Sequence, residues 1–173
     1  LSDNIKINIE EEPYKYNLEK FLEVLFSYKY LMECQKNEGE LTTIIALIEK
    51  TKEFIFKKCE CAHEEVLSIY EQFYRKLVYR DKNLTKTNIF TTNHDLFNER
   101  ALDQLCIIFS NGFSGVIERY FNPAVFNYAF AEQMDLSNNK WNVIDNFIYL
   151  YKLHGSISWF EDESSRHLFK IKE

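Results

Sequence analysis

Asn146-Phe147-Ile148-Tyr149-Leu150-Tyr151-Lys152-Leu153-His154-Gly155-Ser156 is the stretch on which the fold turns. Its aromatic and β-branched residues form an apolar run that reads as a central strand ending at His154. Gly155 then allows a sharp turn and leaves the imidazole of His154 unobstructed at the strand end. Upstream, Asn88-Ile89-Phe90-Thr91-Thr92 is a second apolar run, read as a buried strand, and it leads into Asn93-His94-Asp95. Open α/β sheets bind ligands beyond the carboxyl ends of their strands, so Asn93, Asp95 and His154 are expected to share one cleft.

The residues before this region are helical in pattern. Leu18, Phe21, Leu22, Leu25, Tyr28 and Met32 recur at three- and four-residue steps behind Asn17, a good amino-terminal cap, and predict a helix to about Gln35. The Asn37 to Gly39 stretch breaks it. Leu41, Ile44, Ile45, Ile48 and Ile55 then predict a second helix to about Lys58, and Leu67, Tyr70, Phe73, Tyr74 and Leu77 a third over residues 64–79. The aromatic stripe of the third reads as ordinary core packing, because no basic residues accompany it as a base-stacking surface would require.

After Asn93 or Asp95 as cap, Leu96, Phe97, Ala101, Leu102, Leu105 and Phe109 predict a further helix. Asn111-Gly112-Phe113-Ser114-Gly115 is turn-like, and residues 116–126, with Pro123, suggest irregular structure or a short hairpin. Ile157 to Phe160 and His167 to Ile171 predict a β-hairpin at the end.

Composition narrows the function classes. The chain has 173 residues, 46% of them hydrophobic, enough for one domain with a sizeable core. A formal net charge of −6 lacks the basic footprint of a nucleic-acid binder. No apolar run is long enough to span a bilayer and Leu1-Ser2-Asp3-Asn4 is not signal-like, so no membrane partner and a cytoplasmic location are expected. In that compartment Asn83-Leu84-Thr85 reads as a chance sequon and the four cysteines as reduced thiols. Four glycines and two prolines are few for a complete nucleotide-binding domain, no Gly-rich phosphate turn occurs, and the chain starts without methionine. These features point to an internal segment of a longer protein.

Taken singly, each motif has a plain structural explanation. Asn93 and Asp95 suit a helix-capping turn as well as they suit orienting a water or a ligand hydroxyl. A histidine such as His154 can serve as a general base near neutral pH, but lone histidines are more often structural. His94 reads as a filler or orienting residue rather than a second base. Cys59-Glu60-Cys61-Ala62-His63 could place Cys59 and His63 on one helix face but not Cys61, so no metal is expected.

Taken together and in this order, the two motifs resemble those of the sirtuin-like superfamily, specifically the sirtuin-like domains of bacterial NAD-consuming defence proteins. Sirtuins carry Thr-Gln-Asn-Ile-Asp and then His-Gly; here Thr91-Thr92-Asn93-His94-Asp95 keeps the first Thr, the Asn and the Asp, and His154-Gly155 supplies the second motif. The segment from Tyr16-Asn17-Leu18-Glu19, the stretch 111–115 and Lys152 to Trp159 are similar to the defence branch, so the likeness runs from about Tyr16 to Phe160. His94 departs from the Ile or Tyr common at that place.

The resemblance implies an α/β fold: a partial Rossmann-like, sirtuin-like parallel sheet with a large helical segment on its N-terminal side. One incomplete domain would cover residues 1–173, mainly helical over 1–82 and strand, motif, helix and hairpin over 83–173. The phosphate loop would lie before Leu1 and the remaining strands of the sheet after Glu173. It further implies NAD as substrate, with His154 as the base on a ribose hydroxyl or water and Asn93 positioning the water or the nicotinamide ribose. Asp95 would contact the nicotinamide end, Thr91 and Thr92 would line the cofactor cleft, and Gly155 and Ser156 would complete the binding set, Ser156 being equally explained as a turn residue. Family deacylases usually add a zinc ribbon of two Cys-x-x-Cys pairs, and this chain contains none. That shifts the expectation from deacylation to hydrolysis of NAD into nicotinamide and ADP-ribose, in an anti-phage effector answering to a phage-derived or protein activator. The alternatives are an NAD-dependent protein deacylase and a non-catalytic module binding NAD or ADP-ribose. The long helices would permit a homo-oligomer.

Overall fold

A computed structural model of the chain describes residues 17–60, 63–81, 84, 86–135, 140–144, 146–162 and 168–171. Asn83, Thr85, Cys61 and the turn of the final hairpin, where the sequon, part of the cysteine cluster and His167 fall, lie outside the described residues. The backbone divides into two compact units, one up to Lys58 and the other from Cys59 onward.

In the first unit α1 (Leu18–Gln35) starts as expected, the Lys20 N–H donating to Asn17 Oδ1 at 2.9 Å. It stops because Lys36 adopts the left-handed conformation at φ 56°, so the break falls one residue before the predicted Asn37 to Gly39 stretch. α2 (Glu38–Glu60) begins at once, and Gly39 sits inside its first turn. Phe21, Leu25, Met32, Ile44 and Ile48 form the buried seam of the two helices.

The second unit is a mixed α/β arrangement. It opens with α3 (Glu64–Val78), β1 (Thr87–Thr91), α4 (Phe97–Gln104) and β2 (Phe109–Ser110). β3 (Phe113–Ser114), β4 (Tyr120–Phe121), a 3-10 turn over Pro123–Asn127 and the hairpin β5 (Ala131–Asp135) and β6 (Lys140–Val143) follow. β7 (Ile148–Lys152), β8 (Trp159–Glu161) and β9 (Phe169–Ile171) close it. A three-stranded parallel sheet has the order β1-β7-β2, with Thr91 beside Lys152 and Phe109 beside Ile148. The run from Asn146 is thus its centre, as the sequence predicts. β3, β4, β9 and β8 form a separate antiparallel sheet, which includes the predicted final hairpin.

Two expectations need correction, and one element was not expected. The strand at Ile89 is only half-buried: among the described residues β1 pairs on one side only, and Phe90 is 62% exposed while Ile89 packs on the core. The helix after Asp95 does not reach Phe109. Leu105 caps it, Cys106 takes a positive φ of 52°, and Phe109 is freed to pair with Ile148. The β5–β6 hairpin has no counterpart in the sequence reading.

Strand alternation sorts the sheet into two faces. Ile148 and Leu150 point to the face covered by Leu67 and Tyr74 of α3 and Ala101 and Leu102 of α4, with Ile89 and Phe109 packed alongside. α3, grouped by sequence with the helical segment, therefore packs with the sheet unit. Tyr149 and Tyr151 face the other way, where Tyr151 stacks between Phe90 at 4.6 Å and Phe126 at 4.2 Å. α3 and α4 are also joined by a buried polar bond, the Tyr74 hydroxyl donating to Asn98 Oδ1 at 2.6 Å. Tyr74→Phe leaves that buried carbonyl without its donor and should lower stability by about 1–3 kcal/mol, read as a shifted urea midpoint; an unchanged midpoint would show that water replaces the hydroxyl.

Candidate functional site

Because β1 and β7 are parallel neighbours, their carboxyl ends lie side by side, and the chain leaves each through a tight turn. After β1, the Asn93 N–H donates to Thr91 Oγ1 at 3.1 Å, and the Phe97 N–H donates to Asp95 Oδ1 at 3.1 Å. The Asp95 carboxylate thus closes a turn just ahead of α4, whose N-cap position is Leu96 and has no side-chain cap bond, so neither Asn93 nor Asp95 is the helix cap expected from sequence. After β7, Gly155 takes φ +84°, the left-handed turn expected of glycine there, and frees His154 to stand exposed.

The two turns are bonded to each other. The Leu153 N–H donates to the Thr91 carbonyl at 2.9 Å, and the Ile157 N–H to the His94 carbonyl at 3.0 Å. Ser156 Oγ also reaches the His94 carbonyl, at 3.4 Å, although the two residues are 62 positions apart in the chain. His94 and His154 end with ring centroids 6.3 Å apart and planes tilted by 38°.

Both histidines line an open recess of about 480 Å³, together with Lys152, Leu153, Gly155, Ser156, Trp159 and Phe169. Its aromatic side is continuous with the antiparallel sheet, where Trp159 packs on Phe113 at 5.0 Å and on Phe169 at 5.8 Å. Trp159 Nε1 is buried with no acceptor among the described residues. Of the residues singled out by sequence, His154, Gly155 and Ser156 line the recess, whereas Thr91, Thr92, Asn93 and Asp95 form the adjoining turn and are not part of its lining. Asn93 and Thr92 are exposed on that turn. His94, read from sequence as a filler or orienting residue, shares the recess directly.

Sequence reasoning missed the buried group in the wall of the recess. Lys152 is the last residue of β7, and alternation turns it to the helix-covered face, where its side chain has no exposure. Its ammonium donates to the Asp95 carbonyl, to Glu99 Oε2 at 3.4 Å and to Ser156 Oγ at 3.2 Å. Glu99 Oε1 lies 3.2 Å from the same nitrogen, an ion-pair contact without hydrogen-bond geometry. The only sequence signals were a lysine in phase with Ile148 and Leu150 and a glutamate one turn into a helix.

Burial pushes the Glu99 carboxyl above the ordinary glutamate range, and the Lys152 ammonium opposes that rise without cancelling it. A raised folded value means Glu99 contributes stability that is fully present below its unfolded value and is lost as pH rises through the folded one. Wild type should therefore gain stability relative to Glu99→Gln as pH is lowered from neutrality toward about 4.3, the ordinary glutamate value. Thermal midpoints of the two proteins across that range check this; a constant gap would remove Glu99 as the titrating group.

No protein-family model matches the chain, and no curated protein does.

Proposed function

We propose that this chain carries the catalytic half of a sirtuin-like, Rossmann-like domain that hydrolyses the nicotinamide glycosidic bond of NAD, and that the protein is an effector of anti-phage defence. The observation that supports this best is the meeting of the two motifs at the carboxyl ends of adjacent parallel strands, with His154 opening on a recess. That edge is where open α/β sheets take their ligands. A volume of about 480 Å³ lies within the general range of small-molecule sites.

In this reading water is the acceptor. The bond between ribose C1′ and the nicotinamide nitrogen breaks, its electron pair leaving with nicotinamide, and water adds to the oxocarbenium-like carbon. His154 takes the proton from water or from a ribose hydroxyl, and the products are nicotinamide, ADP-ribose and a proton. The leaving group is already cationic, so the site has chiefly to hold the ribose, limit bulk water and place a base. Asn93 on the adjoining turn would orient the water or the ribose. Thr91, Thr92, Gly155 and Ser156 would shape the binding edge, and Asp95 would serve it through the turn it closes.

The test is to incubate the full protein with NAD and separate the products by chromatography. Nicotinamide and ADP-ribose are expected in equal amounts. Acyl-ADP-ribose formed only with an acyl-lysine peptide would assign a deacylase instead, and calorimetric binding without products would assign a binding module.

A further inference from the structure

We infer that Lys152 is a positioning residue whose ammonium holds the turn after β1 against the turn after β7, so that His94 and His154 face one recess. An ammonium carries three N–H donors. Here it meets three acceptors on three separate pieces of chain: the Asp95 carbonyl after β1, the Glu99 carboxylate on α4 and the Ser156 hydroxyl after β7. Ser156 in turn reaches the His94 carbonyl, which also receives the Ile157 N–H. The chain Lys152, Ser156, His94 thus links the two turns that carry the imidazoles, and each histidine lies within two residues of a group in it.

Stability alone does not call for a lysine here. Withdrawing an ammonium and a carboxylate from water is unfavourable, and apolar residues of similar size often replace such a pair with no loss of stability. An apolar side chain at 152 could not donate to Asp95 or Ser156, however, and nothing else named above would bind those two turns to α4 at one point. The role in turnover rests on the NAD-cleaving reading; the role in holding the turns does not.

The experiment uses the full protein as wild type, Lys152→Met and Lys152→Met/Glu99→Leu. The double variant removes both charges, so it keeps the test open if the single variant does not fold. Amide exchange is followed at Leu153 and Ile157, whose N–H groups bond across the turns, with Leu150 in mid-strand as the internal reference, and imidazole resonances of His94 and His154 are recorded. In the folded double variant Leu153 and Ile157 should exchange at least tenfold faster relative to Leu150, and both imidazole signals should move. The kcat for NAD should fall at least tenfold with a smaller change in KM. Wild-type exchange at Leu153 and Ile157 with unmoved imidazole signals would overturn the inference, leaving Lys152 a packing residue. If wild type itself consumes no NAD, the hydrolase reading fails while the exchange and imidazole measurements still decide the role of Lys152.

Discussion

On the proposed NAD-hydrolysing reading, His154→Ala in the full protein is expected to lower NAD turnover by about 10²- to 10⁴-fold, the usual contribution of a positioned general base. His154 is exposed at the strand end, lines the recess and is one residue from the left-handed turn at Gly155, so alanine removes the imidazole with little disturbance of packing. The thermal midpoint should therefore stay close to that of wild type while nicotinamide release collapses. Chromatographic product rates at saturating NAD, paired with a melting curve, separate the two effects. Wild-type rates in a folded His154→Ala protein would remove His154 as the base, and the shared recess would make His94 the next residue to substitute.

Lys152→Met is expected to destabilise the second unit by about 3–5 kcal/mol, the typical consequence of leaving a buried charge without its partner. The Glu99 carboxylate cannot turn to water, since α4 holds it over the sheet and the residue is only 9% exposed. Asp95 and Ser156 lose their donor in the same step. Adding Glu99→Leu should restore much of the loss by removing the orphaned charge. The penalty of Lys152→Met alone should also shrink on acidification, because burial already favours the protonated form of Glu99. Urea midpoints at neutral and acid pH check each part. Equal midpoints for wild type and Lys152→Met at neutral pH would mean that the pair is solvated.

Part of the candidate site, His154 to Ser156, was legible because it is short and local. Asn17 as a cap, the apolar steps of α1 to α3 and the β-prone run around Leu150 each declare themselves within a single turn of helix or a single strand. His154-Gly155 reads as a strand-end turn for the same reason. The limits of this local reading appear where two segments compete. Phe109 fits the apolar spacing of α4, yet pairing with Ile148 draws it into β2. Phe90 looks like a core residue, but its exposure depends on which strands flank β1.

The sequence by itself determined α1 to α3, the strands β1 and β7 with the central place of β7, and the two turns that carry Asn93, His94, Asp95 and His154, because hydrophobic period and turn chemistry act between near neighbours. Only the tertiary structure decided that β1 is an edge in the described sheet, that His94 joins His154 in one recess, and that Lys152 is buried against Glu99. Those outcomes depend on parallel register and on which face α4 covers, and for Lys152 and Glu99 they bring together side chains 53 positions apart. A local pattern sets which way a side chain points from its own strand; what it meets there is set by segments remote in the chain.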